Sequence, residues 1–313
     1  MPFREVDKQN FTGNGFYKNK TVILFSIHKK PFNMKKNLLL IFTIACSLIS
    51  YNSFGQLTPA PSSTQTIIQD FGLGKITLTY SRPNVKGRKI FGYTEPYNAV
   101  WRTGANAATT ITFTDDVTLE GHKVAAGTYG LFSIPGEEVW TIILSKTSKQ
   151  WGAYSYKAAD DYLRFTVKPM KINELVETFT MQYTNVFPTS ADLNLLWEHT
   201  ALALHLTVDV DAKVMARIDS AMQTAKKPYY DAIIYYWNNN KDMTKALPWA
   251  QALQSVPGFP PMVVKLWLAR TELRVGDKAA AIKAAQEGIV AAQAINSTEY
   301  VRLNTEVLAE AKK

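Results

Sequence analysis

Cysteine is nearly missing from this chain of 313 residues: Cys46 is the only one. An intrachain disulfide scaffold and a cysteine-ligated zinc or iron–sulfur centre are therefore excluded. Histidine is scarce too, at four residues, which thins the supply of general bases and metal ligands. The 16 Gly and 14 Pro are too few for a collagen-like or low-complexity chain. There is no Gly-x-Ser-x-Gly elbow, no His-Glu-x-x-His pair and no phosphate-cradling loop. Gly72-Leu73-Gly74 lacks a third glycine and opens no helix, so it is not a dinucleotide site. What is plentiful is apolar residue: 46% hydrophobic and 12% aromatic against 19% charged, ample for buried cores.

The first 33 residues show no sustained period. From Met34 the pattern is that of a secretory signal. Lys35 and Lys36 are followed by an apolar stretch, Leu38 to Ile49, too short for a stable membrane span. Ser53-Phe54-Gly55 then places small residues at the two positions a signal peptidase reads, with Gln56 next. The expectation is an over-called extension at 1–33, a signal peptide at 34–55 and a periplasmic or secreted mature chain. The alternatives are a genuine N-terminal extension with an internal anchor helix, and a lipoprotein acylated at Cys46. Positions 1–55 hold eight Lys/Arg and two Asp/Glu. Removing them from 35 and 26 leaves 27 and 24, so the net charge falls from +9 to +3. The basic balance thus belongs mostly to the leader, and nucleic-acid binding loses its compositional support.

Residues 56–211 read as β. In Gly74 to Tyr80, Ile76, Leu78 and Tyr80 share one face and Lys75, Thr77 and Thr79 the other, the period-two pattern of a half-buried strand. Similar runs follow at Ala108–Thr114, Thr128–Ile134, Val139–Leu144, Tyr162–Lys168, Glu177–Tyr183, Leu193–Glu198 and Ala201–Val208. Glu120-Gly121, Ala126-Gly127 and Pro135-Gly136 supply bends. Many short strands without intervening helices predict an all-β antiparallel sandwich or barrel. Trp101, Trp140 and Trp197 fall in this region as core candidates.

From residue 212 the period turns helical, in runs broken at Pro228, Asn238-Asn239-Asn240, Pro257-Gly258, Gly276-Asp277 and Asn296-Ser297. Lys241-Asp242 lies 35 residues before Gly276-Asp277, and at that offset Ala246 meets Ala281 and Ala250 meets Ala285. The segment 212–313 resembles about two degenerate tetratricopeptide units; a plain helical bundle with an Ala-rich seam is the alternative.

Several stretches stand in order through the β half: Tyr80-Ser81-Arg82-Pro83, Lys86-Gly87-Arg88-Lys89-Ile90-Phe91-Gly92, Val100-Trp101-Arg102-Thr103-Gly104-Ala105-Asn106, and Ala126-Gly127-Thr128-Tyr129-Gly130-Leu131-Phe132. Trp151-Gly152 and Leu196-Trp197-Glu198 follow. Over roughly residues 60–210 this string resembles a secreted bacterial family, common in Bacteroidota, known as the domain-of-unknown-function family numbered 2911. The resemblance implies a secreted β domain, often with a helical companion, and assigns no chemistry.

Two constellations remain as candidate sites. One is basic: Arg82, Lys86, Arg88, Lys89 and Arg102 near Pro- and Gly-marked turns, with Asn106 beside them. Guanidinium forks suit carboxylate or phosphate, so the ligand reading takes Arg82, Arg88, Arg102 and Asn106; the other reading is solvated loop charge or loop stapling. The second is aromatic: Trp151 and Tyr154, with Tyr156 and Tyr162, in a loop rich in lysine. They either stack on a ligand such as a glycan or plug the end of the sandwich. His199 and His205 would approach each other only if the chain reversed near Thr200, and Asp115-Asp116, Glu137-Glu138 and Asp160-Asp161 sit at turns, so neither set predicts a metal or catalytic site. The reading is an exported, non-enzymatic binding module without cofactor or metal. Its β domain takes a polar, anionic or carbohydrate-like ligand, and its helical tail docks a protein or the β domain. A secreted hydrolase acting on glycan or peptide is the alternative, and a structural envelope protein the third.

Overall fold

The computed structural model describes residues 58–313. The extension 1–33, the signal peptide 34–55 and Cys46 lie outside the described residues.

Ten strands come first: β1 Ser63–Phe71, β2 Gly74–Arg82, β3 Thr109–Phe113, β4 Val117–Leu119, β5 His122–Val124, β6 Gly127–Ile134, β7 Trp140–Ser145, β8 Asp161–Val167, β9 Met170–Phe187 and β10 Ser190–Thr207. They form two antiparallel sheets, one ordered β1-β2-β3-β6-β7-β8 and the other β5-β4-β10-β9. The sheets face each other as a sandwich, with no closed barrel. The alternation in β2 holds: Ile76, Leu78 and Tyr80 are buried, while Lys75, Thr77 and Thr79 are not.

Three strands went unread in the sequence. β1 carries mostly polar residues and is held as an edge by nine consecutive pairs with β2, Ser63 opposite Arg82 through Phe71 opposite Gly74. β4 and β5 are three residues each, too short for a periodic signal, and turn at Glu120-Gly121, both at positive φ.

β10 is continuous in strand conformation, yet it reverses on itself. Asp192 Oδ1 and His205 Nδ1 are 2.7 Å apart, and Val208 N–H donates to Thr189 O at 2.9 Å. At about 3.3 Å per residue a straight strand would separate these pairs by tens of ångströms. The reversal falls at Glu198, at φ +55, followed by His199. Ala191, Leu193, Leu195 and Trp197 on one arm and Leu202, Leu204 and Leu206 on the other are then all buried on one face. The two runs predicted at 193–198 and 201–208 are these arms.

Between the sheets lies an aromatic cluster. Trp101 stacks on Trp197 at 5.7 Å and 17°, and Phe91, Trp140 and Phe179 meet these rings edge-on or tilted. The three core tryptophans expected from the sequence are 3%, 2% and 1% exposed.

Six helices follow: α1 Asp211–Ala221, α2 Tyr229–Asn238, α3 Met243–Leu253, α4 Pro261–Arg274, α5 Lys278–Gln293 and α6 Thr298–Ala311. Sequence neighbours from α2 onward pack side by side, and α6 also reaches α4. The 35-residue offset has a structural counterpart. Asp242 and Asp277 both cap helix N-termini, accepting from Thr244 N and Ala280 N. Ala246, Ala250, Ala281 and Ala285, at matching places, are all fully buried. Small residues there let helices approach closely, as Gly288 does against Asn304. Val214 of α1 packs against both the sandwich core and the helical core, and Lys213 pairs with Asp115 at 2.7 Å. Among the described residues no helix is long and apolar enough to cross a membrane.

Candidate functional site

The long connection from β2 to β3, residues 83–108, positions the basic residues. Its first part pairs with the edge of β9: Val85 N–H donates to Glu177 O at 2.7 Å, and Phe179 N–H to Pro83 O at 2.8 Å. Lys86 and Gly87 then turn with positive φ, and the Lys86 N–H donates to the Glu177 carboxylate at 2.9 Å. Further on, Glu95 closes a small turn, its N–H donating to Ile90 O and its carbonyl accepting from Gly92 N–H.

The stretch from Val100 to Asn106 is pinned from below. Trp101 pairs with Ser133 through both backbone groups, and its Nε1 donates to Gly104 O at 3.0 Å. Thr109 Oγ1 donates to Thr103 O at 2.7 Å. Gly104 sits at φ +154, and a Cβ there would lie 2.9 Å from Ser81 O, so the turn requires glycine. Next to the anchored Trp101, Arg102 is half-buried.

These segments enclose a cavity of about 630 Å³, within the range of small-molecule sites. Lys86, Arg88, Arg102 and Asn106 line it, with Glu95 between them and Trp197 contributed by β10. Arg88 is held by its own loop, Nε donating to Val85 O at 3.0 Å and Nη2 to Asn84 O at 2.6 Å. Asn106 Nδ2 donates to Ser62 O at 3.1 Å. Two buried donors on lining residues, Arg102 Nε and Trp197 Nε1, have no hydrogen-bond partner among the described residues. Buried polar groups are nearly always paired, so two such donors beside one cavity call for an acceptor that the described residues do not supply. Burial pushes the Glu95 carboxyl up to about 7, although the Arg102 and Arg88 guanidiniums pull it the other way.

Of the residues proposed from sequence, Arg88, Arg102 and Asn106 come together in this cavity. Arg82 is not among its lining residues. Its Nε donates to Phe179 O at 3.1 Å and its Nη2 to Thr180 Oγ1 at 2.9 Å, tying β2 to β9 across the sandwich. Trp151 and Tyr154 do not line it either: they are 67% and 86% exposed on the loop between β7 and β8. That loop adjoins the site through the backbone, because Gly152 N–H donates to Asn106 O at 2.9 Å and Trp151 bridges to Ala107. Tyr156 is engaged with Asp161 and Arg164 at 2.7–3.0 Å.

Glu95 and Trp197 were missed as site residues. Glu95 had a signal. It is the only acidic residue between Asp70 and Asp115, a stretch that carries six Lys/Arg. Trp197 had none beyond core burial.

The remaining titratable clusters have local partners. Asp116 accepts from Ala126 N–H at 2.8 Å, and Asp160 from Thr147 Oγ1 at 2.9 Å. Glu137 and Glu138 line a smaller cavity of about 410 Å³ with Lys168 and Lys171. His199 sits just after the reversal in β10 and His205 pairs with Asp192. No group of three or more His, Cys, Asp or Glu among the described residues is arranged to hold a metal ion.

Fold and site together define a two-sheet sandwich with a polar, cation-rich pocket at the β2–β3 connection and a helical tail. Residues 62–206 match the profile of a family described as "Protein of unknown function (DUF2911)", a span that takes in both sheets and every lining residue except Pro61. Comparison with curated proteins and with solved structures gave no match.

Proposed function

We propose that the chain is an exported, non-enzymatic binding module whose sandwich seats a polar, negatively charged small ligand in the cavity lined by Arg88, Arg102 and Asn106. The observation that carries this reading is the pair of buried donors without partners, Arg102 Nε and Trp197 Nε1, at a cavity that also holds Lys86 and Arg88. A charge-assisted hydrogen bond from a positioned guanidinium contributes about 1.5–3 kcal/mol, so two such contacts, about 3–6 kcal/mol together, support weak, millimolar-range affinity after association costs. Trp151 and Tyr154, one backbone hydrogen bond from Asn106, extend the surface for a ligand longer than the cavity. The helical tail, in this reading tetratricopeptide-like, serves to brace the sandwich or dock a protein. Cleavage after Gly55 places the mature chain outside the cytoplasm, and N-terminal sequencing of the exported protein checks it.

A second reading, a hydrolase acting on glycan or peptide, draws on Glu95, since a carboxyl protonated near neutral pH suits a general acid. Two-carboxylate glycoside hydrolysis needs a partner that the cavity lining lacks, Glu95 being its one carboxylate. The deciding experiment is calorimetric titration of wild type and Arg102→Ala with acidic and neutral oligosaccharides, alongside an assay for new reducing ends. Binding that drops at least tenfold in a folded Arg102→Ala protein, without product, supports the module. Turnover abolished by Glu95→Gln establishes the enzyme instead.

A further inference from the structure

We infer that this cavity takes an oxyanion, a carboxylate or sulfate carried on a polar molecule, together with a solvent proton that Glu95 holds while the ligand is bound. The inference rests on the binding reading above and deepens it. Three cationic side chains, Lys86, Arg88 and Arg102, line the cavity with a single carboxylate. The two orphan donors, Arg102 Nε and Trp197 Nε1, ask for acceptors. An ionised oxyanion supplies acceptors only, and it matches a guanidinium fork.

Glu95 decides whether that oxyanion is welcome. Ionised, it competes for the same cations and repels the ligand; protonated, it becomes a donor to it. The charged groups around it are Arg88, Lys86 and Arg102 on its own connection and Glu177 on β9, which is occupied by the Lys86 N–H. The lining residue from β10, Trp197, carries no charge. Burial already pushes the Glu95 carboxyl up to about 7. A bound anion raises that threshold further, so binding draws a proton from solvent whenever the free protein is ionised.

The test uses probes whose charge is constant between pH 6 and 8: a galacturonate disaccharide, inorganic sulfate, and a neutral galactose disaccharide. For a Glu95 value of about 7 and an anion that binds only the protonated form, the wild-type Kd weakens about tenfold from pH 6 to pH 8. Calorimetry at pH 7.5 in buffers of different ionisation enthalpy then reads uptake of about 0.8 proton per anion bound. This measurement needs no variant. Glu95→Gln flattens the pH profile, with affinity at pH 8 close to its value at pH 6. Uronate binding without sulfate binding places the oxyanion on a sugar; binding of both places recognition in the anion itself. Either result, with the pH dependence, supports the inference. Anion binding that is independent of pH, or a Glu95→Gln profile like that of wild type, overturns proton coupling and leaves the binding reading standing. Neutral disaccharide binding as tightly as uronate overturns the oxyanion requirement. No binding of either anion at pH 6 overturns both readings.

Discussion

A carboxyl that stays protonated to about pH 7 with two guanidiniums acting on it is a strained arrangement, and its cost should be visible in stability as well as in binding. Its ordinary value is 4.5, so the folded state holds the proton more tightly than the unfolded chain does. Stability from this group is fully present below pH 4.5 and is lost as pH rises through 7. Glu95→Gln keeps a neutral side chain of the same shape at every pH. The variant should match wild type near pH 4.5 and exceed it by about 1–3 kcal/mol at pH 8. Urea denaturation at the two pH values reads the difference; equal stability of the two proteins at pH 8 would sink the assignment. The residue scale also shows how one residue type splits by context. Arg82, Arg88 and Arg102 look alike in sequence. Arg82 faces β9 and is occupied by Phe179 O and Thr180 Oγ1, residues roughly a hundred positions away. Nothing local to Arg82 announces that partner. The acidic loneliness of Glu95 was legible, whereas its burial was not.

Among the elements, the helices were easiest to read, because their stop signals are local. Asp242 and Asp277 were visible as paired markers 35 residues apart, and each accepts a backbone N–H at the start of its helix. Asp242→Ala and Asp277→Ala should each lower stability, and about equally, since both do the same job in equivalent places. Thermal melts of the two variants check this; a cost confined to one would mean that the equivalence is only in sequence. Strands were legible where alternation was long, as in β2, and failed where it was short or polar. β4 and β5 are stabilised by pairing with each other, and β4 by pairing with β10, a partner more than eighty residues on. β10 failed in a third way. Its two arms are legible as separate runs, but no glycine marks the reversal at Glu198, so the sequence leaves open whether they join in one reversing strand.

For the whole molecule, we propose that the shift from period two to period 3.6 near residue 211 marks where the chain can be divided, into 56–211 and 212–313. We expect the first part, expressed alone, to keep a near-UV circular dichroism signal, because the aromatic cluster of Trp101, Trp140 and Trp197 lies wholly within it. It should nevertheless melt below the full chain, since it loses Val214 from the face of its core and the Lys213–Asp115 pair. A fragment without fixed aromatic signals would make the helices an integral layer of the sandwich. Composition, local period and turn residues determined by themselves that this chain makes an antiparallel β fold, sandwich or barrel, and then helices, because side-chain alternation and helix breakers act over a few residues. Which arginines face a cavity, which carboxyl is buried beside them and which tryptophan donor is left without a partner were decided only by tertiary structure. Those properties are set by atoms from β9 and β10, about a hundred residues from the loop that carries the charge, and no local pattern records where such atoms meet.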